Sequence, residues 1–142
     1  IRVPCVMRWP VQIEPNTVSS QAAITMDLTA TFLSAAGAMP PADYRLDGID
    51  LMPILCKKVS QTERTFYWRV NRSNYRMRAI RHGRWKYIDD AGTMDLLFDL
   101  QNDISERRNL CYQHPEKVEE LKQRLAAWEA EMASEPKTFT VH

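Results

Sequence analysis

The sequence predicts an α+β fold: a small antiparallel four-stranded sheet packed by a long C-terminal helix, preceded by the tail of a larger α/β domain. Three observations point there. Runs rich in β-branched and aromatic residues follow one another between residues 64 and 100 with only short turns between them, which suits an antiparallel meander. The stretch "HPEKVEELKQRLAAWEAEMAS" carries a single apolar stripe at helical spacing. The composition also shifts near residue 60, so residues 1–60 read as the end of a large α/β domain and residues 61–142 as a compact sheet-plus-helix subdomain.

Of the 142 residues, 44% are hydrophobic and 26% are charged, with only four glycines, a balance that supports a packed core and argues against disorder. The formal net charge of +1 selects no class of partner. No apolar run reaches the length of a membrane span, so no membrane partner is expected. The chain opens on "IRVPCVMRWP", with no initiator Met. Alternation across Cys5–Trp9 predicts a short strand bounded by prolines, and its sheet partner is expected in a preceding domain. An orphan strand of this kind is expected to fray or to pair with a second copy, giving a dimer.

A polar loop leads to "AAITMDLTATFLSAAGAMPP". Asp27 is the predicted N-cap of a helix whose apolar face is Leu28, Phe32, Leu33 and Ala36. Gly37 is the predicted C′ residue, and Pro40-Pro41 stops continuation. "RLDGIDLMPILCKK" predicts a turn at Asp47-Gly48, then a short helix with Pro53 in its first turn. "RTFYWRV", "YRMRAIRHGRWKYIDD" and "MDLLFDL" supply the four strands, with turns at His82-Gly83 and around Gly92. "QNDISERRNL" reads as a polar turn with one helical turn. Pro115 opens the final helix, and its stripe is Val118, Leu121, Leu125, Trp128 and Met132, at steps of three, four, three and four. Docking on the sheet is the expected use of that stripe. The tail after it is expected to be loosely held.

The motifs that carry chemistry are mostly absent. The sequence has no dinucleotide or P-loop glycine pattern, no H-E-x-x-H and no G-x-S-x-G. Cys5, Cys56 and Cys111 are too widely spaced for a zinc knuckle and read as free, mostly buried thiols. His82, His114 and His142 fall at a hairpin tip, a helix entrance and the terminus, where solvated histidines are expected. Asp89-Asp90 invites a hard cation but reads better as a solvated turn, and "NDISE" lacks the glycine and terminal glutamate of a calcium loop. From Arg64 to Lys86 there are seven arginines and one lysine with no acid between them, interleaved with Tyr67, Trp68, Tyr75 and Trp85. The pattern fits an anion-binding surface, for a sulfated glycan or nucleic acid, as well as a solvated face with local ion pairs. Strand alternation puts Arg76, Arg78 and Ile80 on one face and Met77, Ala79 and Arg81 on the other, so part of the cluster has a structural task.

Taken in order, "IRVPCVMRWP", "MDLTATFLSAAG" with "LDGIDLMPIL", "RTFYWRV", "MRAIRHGRWKYI", "LLFDLQNDISERRNL" and the final helix resemble the C-terminal part of a type I sulfatase of the arylsulfatase A-like branch. Ile104 stands where the family usually has proline. The resemblance implies a parent enzyme, a sulfuric ester hydrolase, with a large α/β domain upstream. There a formylglycine, made from the Cys or Ser of a C/S-x-P/A-S-R motif, and a calcium ion do the chemistry. None of the three cysteines stands in that motif, so no catalytic residue and no metal ligand carries over, and this chain alone is expected to be inactive. The resemblance makes a periplasmic, extracellular or lysosomal setting the expected one and leaves the substrate open. Two readings remain: a C-terminal sulfatase fragment giving structural support and part of a substrate rim, or a non-catalytic anion-binding module that uses the basic hairpins, with nucleic acid the less favoured ligand. For the first, Arg69 is the candidate substrate-binding residue. It follows "FYW" at an expected strand end, where a guanidinium can leave the sheet to hold a sulfate or carboxylate. The rival role for Arg69 is an ion pair inside the C-terminal subdomain.

Overall fold

The computed structural model describes residues 3–72 and 75–134, and only the backbone of Tyr75. The tail after Ser134, with His142, lies outside the described residues. The chain divides after Thr62 into two compact units.

In the first unit, Cys5–Trp9 is not a strand. Its backbone has no ladder to join, because the only sheet among the described residues is built from the second unit. Val3 and Val6 stand 79% and 92% exposed, and the chain turns at once as the N–H groups of Gln12 and Ile13 donate to Trp9 O (2.9 and 2.8 Å). Helix α1 spans Thr25–Ala35. Asp27, expected at the N-cap, sits one turn in, at N3, and its Oδ2 accepts the N–H of Ile24 (2.7 Å), the residue that does occupy the cap. The buried face is Asp27, Ala30 and Thr31, whereas Phe32 is 62% exposed and Ala36 lies at the C-cap. Hydrogen bonding chooses that face. Asp27 Oδ1 accepts the Ile49 N–H (2.9 Å), and Thr31 Oγ1 accepts the Leu51 N–H (3.0 Å) while donating to Asp27 O (2.6 Å). These bonds hold the Asp47–Leu51 loop against the helix so closely that a Cβ on Gly48 would overlap the Met26 carbonyl. Gly37 closes α1 at φ 67°, with its own N–H on Ser34 O and that of Ala38 on Leu33 O, a Schellman ending. Helix α2, Met52–Leu55, carries Pro53 in its first turn.

The second unit begins with β1 (Thr65–Arg72), β2 (Tyr75–His82), β3 (Trp85–Asp90) and β4 (Met94–Asp99), an antiparallel meander in the order β1-β2-β3-β4. Directly opposed residues share a face. One row is Tyr67–Ile80–Tyr87–Leu97, and its neighbour is Arg69–Arg78–Asp89–Asp95. Helix α3, Pro115–Ser134, lays Val118, Leu121 and Leu125 on the first row, with Cys111 filling the core beside them. Tyr67, Trp85, Leu110 and Trp128 pack around that cluster.

The 100–110 segment is a series of turns, and it opens with the one helical turn expected, closed by Asp103 N–H on Asp99 O (2.8 Å). Asp103 Oδ2 accepts the N–H groups of Arg107 and Arg108 (both 2.8 Å), which forms the turn without a proline at Ile104. The segment then protects the outer edge of β4. Leu97 N–H donates to Asn109 Oδ1 (3.0 Å), Asn109 Nδ2 to Asp95 O (3.0 Å), and Leu110 N–H to Leu97 O (2.8 Å), in place of a fifth strand.

Because Leu125 is 3% exposed in this core, Leu125→Ala is expected to cost about 2–5 kcal/mol by urea denaturation. A loss below about 0.5 kcal/mol, the size of a surface effect, would contradict the docking of α3 on the sheet.

Candidate functional site

The charged row lies next to the apolar row on the face that α3 covers. Its centre is Arg78, whose Nε and Nη2 bond Asp89 Oδ2 while Nη1 bonds Glu129 Oε2 from α3 (2.6 Å). Asp89, read from the sequence as part of a solvated turn, is 6% exposed and also accepts the Gly92 N–H (2.7 Å). A buried carboxylate of this kind persists only because cation and backbone donors satisfy it.

Two open pockets flank the Arg78–Asp89 pair. One, about 410 Å³, lies under the β3–β4 turn, with Tyr87, Asp95 and Lys122 in its wall. The other, about 460 Å³, lies toward β1 and is lined by Arg69, Val70, Asn71, Arg76, Arg78 and Glu129, among others.

Arg69 is not at a strand end, since β1 continues to Arg72. It sits mid-strand on an edge of the sheet, exposed, with its guanidinium 5.8 Å from the centre of the Trp128 ring. Trp128 in turn stacks on Tyr67 at 4.9 Å with the rings 2° from parallel. Among the described residues Arg69 makes no ion pair. Arg76, diagonal to it on β2 and on the same face, makes none either.

The other cations of the run are divided. Lys86 is 7% exposed and pairs with Glu106 (2.5 Å) on the opposite face, Arg84 pairs with Asp99 (3.3 Å) and lies over Trp85, and Arg81 Nε donates to Gly83 O (3.1 Å). Arg64 lies over the ring of Phe66 (4.8 Å). Local pairing thus accounts for much of the cluster. Glu129 was not visible as a site residue in the sequence, where it is one more glutamate on a polar helix face. Its only signal was its place beside Trp128 of the apolar stripe.

His82 and His114 are partly enclosed. His82 Nδ1 shares a hydrogen bond with Thr65 Oγ1 (2.8 Å), its Nε2 is 3.4 Å from Glu63, and His114 packs against Trp85. All three cysteines are free; only Cys111 is buried, while Cys5 is exposed and Cys56 half-buried. Among the described residues no group of three His, Cys, Asp or Glu side chains is placed to hold a metal.

Electrostatics around the first pocket set two titrations. Burial, reinforced by the hydrogen bond it donates to Asp95 Oδ1 (2.6 Å), pushes the Tyr87 phenol far above its ordinary range. Burial alone would raise Asp95. The Lys122 ammonium at 2.6 Å and the Tyr87 hydroxyl outweigh it and hold the carboxyl below its usual value. Tyr87 therefore contributes stability below the ordinary phenol pKa of about 10, lost as pH rises toward its folded value. Asp95 contributes above about pH 3.9, and that contribution is lost as pH falls through its depressed value. Lys122→Met is expected to move the acid-unfolding midpoint to higher pH, read by far-UV circular dichroism. An unchanged midpoint would mean the pair adds nothing.

Comparison with known proteins sets this geometry in a family. Residues 1–132 match the family described as N-sulphoglucosamine sulphohydrolase, C-terminal. N-acetylgalactosamine-6-O-sulfatase of Bacteroides thetaiotaomicron is 31% identical over 140 residues, covering 87% of this chain and 26% of that enzyme. N-acetylgalactosamine-6-sulfatase of Mus musculus is 41% identical over 71 residues, 50% of this chain and 14% of that one. A solved structure of a protein in complex with its substrate, D-glucosamine-2-N,6-O-disulfate, superposes with a TM-score of 0.72 at 23% identity, over 94% of this chain and 29% of that one; at this identity the likeness is one of fold. The chain thus spans less than a third of the length of each of these relatives. With the meander, the covering helix and the family match in agreement, this chain belongs to the N-sulphoglucosamine sulphohydrolase C-terminal family and is the C-terminal part of a type I sulfatase.

Proposed function

We propose that the parent protein is a sulfuric ester hydrolase of the arylsulfatase A-like branch, that this chain is its supporting subdomain without a catalytic centre, and that Arg69 stands on the substrate rim. The supporting observation is the contrast between a family match that runs along nearly the whole chain and a residue set that does not fit the family's reactive groups. Cys5 precedes Val-Met-Arg-Trp, the Cys56 thiol donates to Gln12 O (3.1 Å), and Cys111 lies in the sheet–helix core. None stands in C/S-x-P/A-S-R, and the described carboxylates do not gather into a calcium site. On this reading formylglycine and calcium belong to the upstream domain.

The upstream catalytic domain is then the principal partner, and a sulfated substrate is shared between the two. The exposed backbone and valines of Val3–Trp9 are the natural contact to that domain. Without it, the same segment is where a second copy would pair. The alternative, an anion-binding module with no catalytic parent, draws support from Arg69 and Arg76, which have no carboxylate partner among the described residues. The gene decides between them: a C/S-x-P/A-S-R motif about two hundred or more residues upstream belongs only to the first.

Purified chain is expected to release no sulfate from an aryl sulfate, with or without added calcium. Turnover above a buffer blank, with host sulfatases excluded, would overturn the assignment. In the full-length enzyme, Arg69→Ala is expected to lower kcat/KM for a polyanionic substrate while sparing a small aryl sulfate. Equal losses on both substrates, or lost stability with unchanged kinetics, would return Arg69 to the scaffold.

A further inference from the structure

We propose that the pocket on the β1 side of Arg78 is a saccharide subsite, in which Arg69 and Arg76 hold two anionic substituents of one acidic sugar unit and Arg78 with its two carboxylates forms the floor. The proposal deepens the rim reading of Arg69 and rests on it for the class of ligand. It adds a second cation, a location and a requirement for two negative groups.

The charges are arranged in depth. Arg78 is held through three of its nitrogens by Asp89 and Glu129, so its charge is spent within the protein. Arg69 and Arg76 project from adjacent strands on the same face, at diagonal positions, where residues lie about 7–8 Å apart and their Cβ atoms somewhat closer. That separation suits two sulfates, or a sulfate and a carboxylate, on one or two adjoining sugar rings. A small free anion that went deeper would meet the Asp89 and Glu129 carboxylates, so negative charge is confined to the rim and the floor favours a neutral, hydroxyl-bearing ring. The volume, about 460 Å³, is that of a site for a small organic ligand. The Arg69 guanidinium is steadied over Trp128, itself fixed by the stack with Tyr67, which lowers the cost of ordering it around a ligand. Asn71, opposite Arg76, adds an amide that can donate to a sulfate or accept from a hydroxyl.

Nucleic acid fits the same residues less well. A phosphate backbone is tracked by a continuous line of cations. Here Arg78, Arg84 and Lys86 are committed to carboxylates, and Lys86 faces the other side of the sheet.

The test is calorimetric titration of the 142-residue chain with a disulfated disaccharide, its monosulfated and desulfated forms, inorganic sulfate and a short single-stranded DNA. The disulfated sugar is expected to bind, the monosulfated form about tenfold more weakly, and the desulfated sugar and inorganic sulfate not measurably. Arg69→Ala and Arg76→Ala should each weaken the disulfated ligand about tenfold and together abolish binding. Arg108→Ala, at a residue whose guanidinium bonds Gln113 outside the pocket, should change nothing. Unaltered thermal melting of the variants separates lost binding from lost folding, and if either alanine variant melts early, Arg69→Gln and Arg76→Gln replace it. No binding of the disulfated sugar, binding indifferent to Arg69 and Arg76, or equal binding of the desulfated sugar would overturn the subsite. So would DNA bound more tightly than sugar and lost on the same substitutions, which would assign the pocket to nucleic acid. Aryl sulfate hydrolysis by the full-length enzyme keeps the two proposals apart: activity without chain-level binding removes only the subsite, and binding without activity removes only the sulfatase reading.

Discussion

The packing of Leu121 on the Ile80–Tyr87–Leu97 row sets the rest of the second unit. These four side chains are the most enclosed part of that unit, and Leu121 is fully buried. Once Leu121 is seated, the direction of α3 decides which polar side chains can reach the sheet. Lys122, one residue on, meets Asp95 on β4, while Trp128 and Glu129 meet Tyr67 on β1 and Arg78 on β2. From residue 122 to 128 the helix advances about 9 Å at 1.5 Å per residue, roughly two strand spacings. Long side chains cover the remainder, so one helix crossing the sheet ties the fourth strand to the first.

The buried charged residues Asp27, Lys86 and Asp99 follow one rule, to which Asp90 Oδ1, shielded and without a hydrogen-bond partner among the described residues, is the exception. Asp27 is shielded from water and gives its two oxygens to two backbone N–H groups that have no other partner in the turn they start. Lys86 has Glu106, and Asp99 has Arg84, Gln101 N–H and the Asn102 amide. Removing one member of such a set leaves its partner buried and unpaired, which costs more than the set contributes when whole. Structural charge among the described residues is therefore recognised by its partners, whereas the exposed guanidiniums of Arg69 and Arg76 pair with no described carboxylate.

Local chemistry made much of the fold legible. The strands could be read because "FYWRV" and "YIDD" are poor helix formers flanked by turn residues, and α3 because its stripe keeps step over four turns. Gly37 and Pro53 marked their places for the same reason, as each satisfies a backbone requirement that few other residues meet. What failed was information held outside the local window. Cys5–Trp9 alternates as a strand does, but alternation provides no partner. Asp27 resembles an N-cap by residue type, yet the loop it anchors twenty-two residues later fixed its position and turned Phe32 outward. Asp89 resembles a turn residue until the register sets Arg78 opposite it. For Arg69, the sequence suggested an exposed guanidinium but not its neighbours, since Trp128 and Glu129 arrive from a helix some sixty residues away.

Arg78 shows why support and recognition can share one row of side chains without interfering. Its guanidinium joins β2, β3 and α3, so the floor of the pocket is part of what holds the sheet to its helix. A floor built in this way cannot adapt to a ligand without loosening the contacts that Arg78 makes with Asp89 and Glu129. Adaptation is left to Arg69 and Arg76, exposed side chains that hold no carboxylate among the described residues. Binding there would draw on side-chain ordering alone, and the selectivity of the pocket would follow from the spacing of two strands rather than from a mobile loop. Divergence within a family could then alter which anions are recognised by exchanging residues at these two positions, with Arg78, Asp89 and Glu129 left in place.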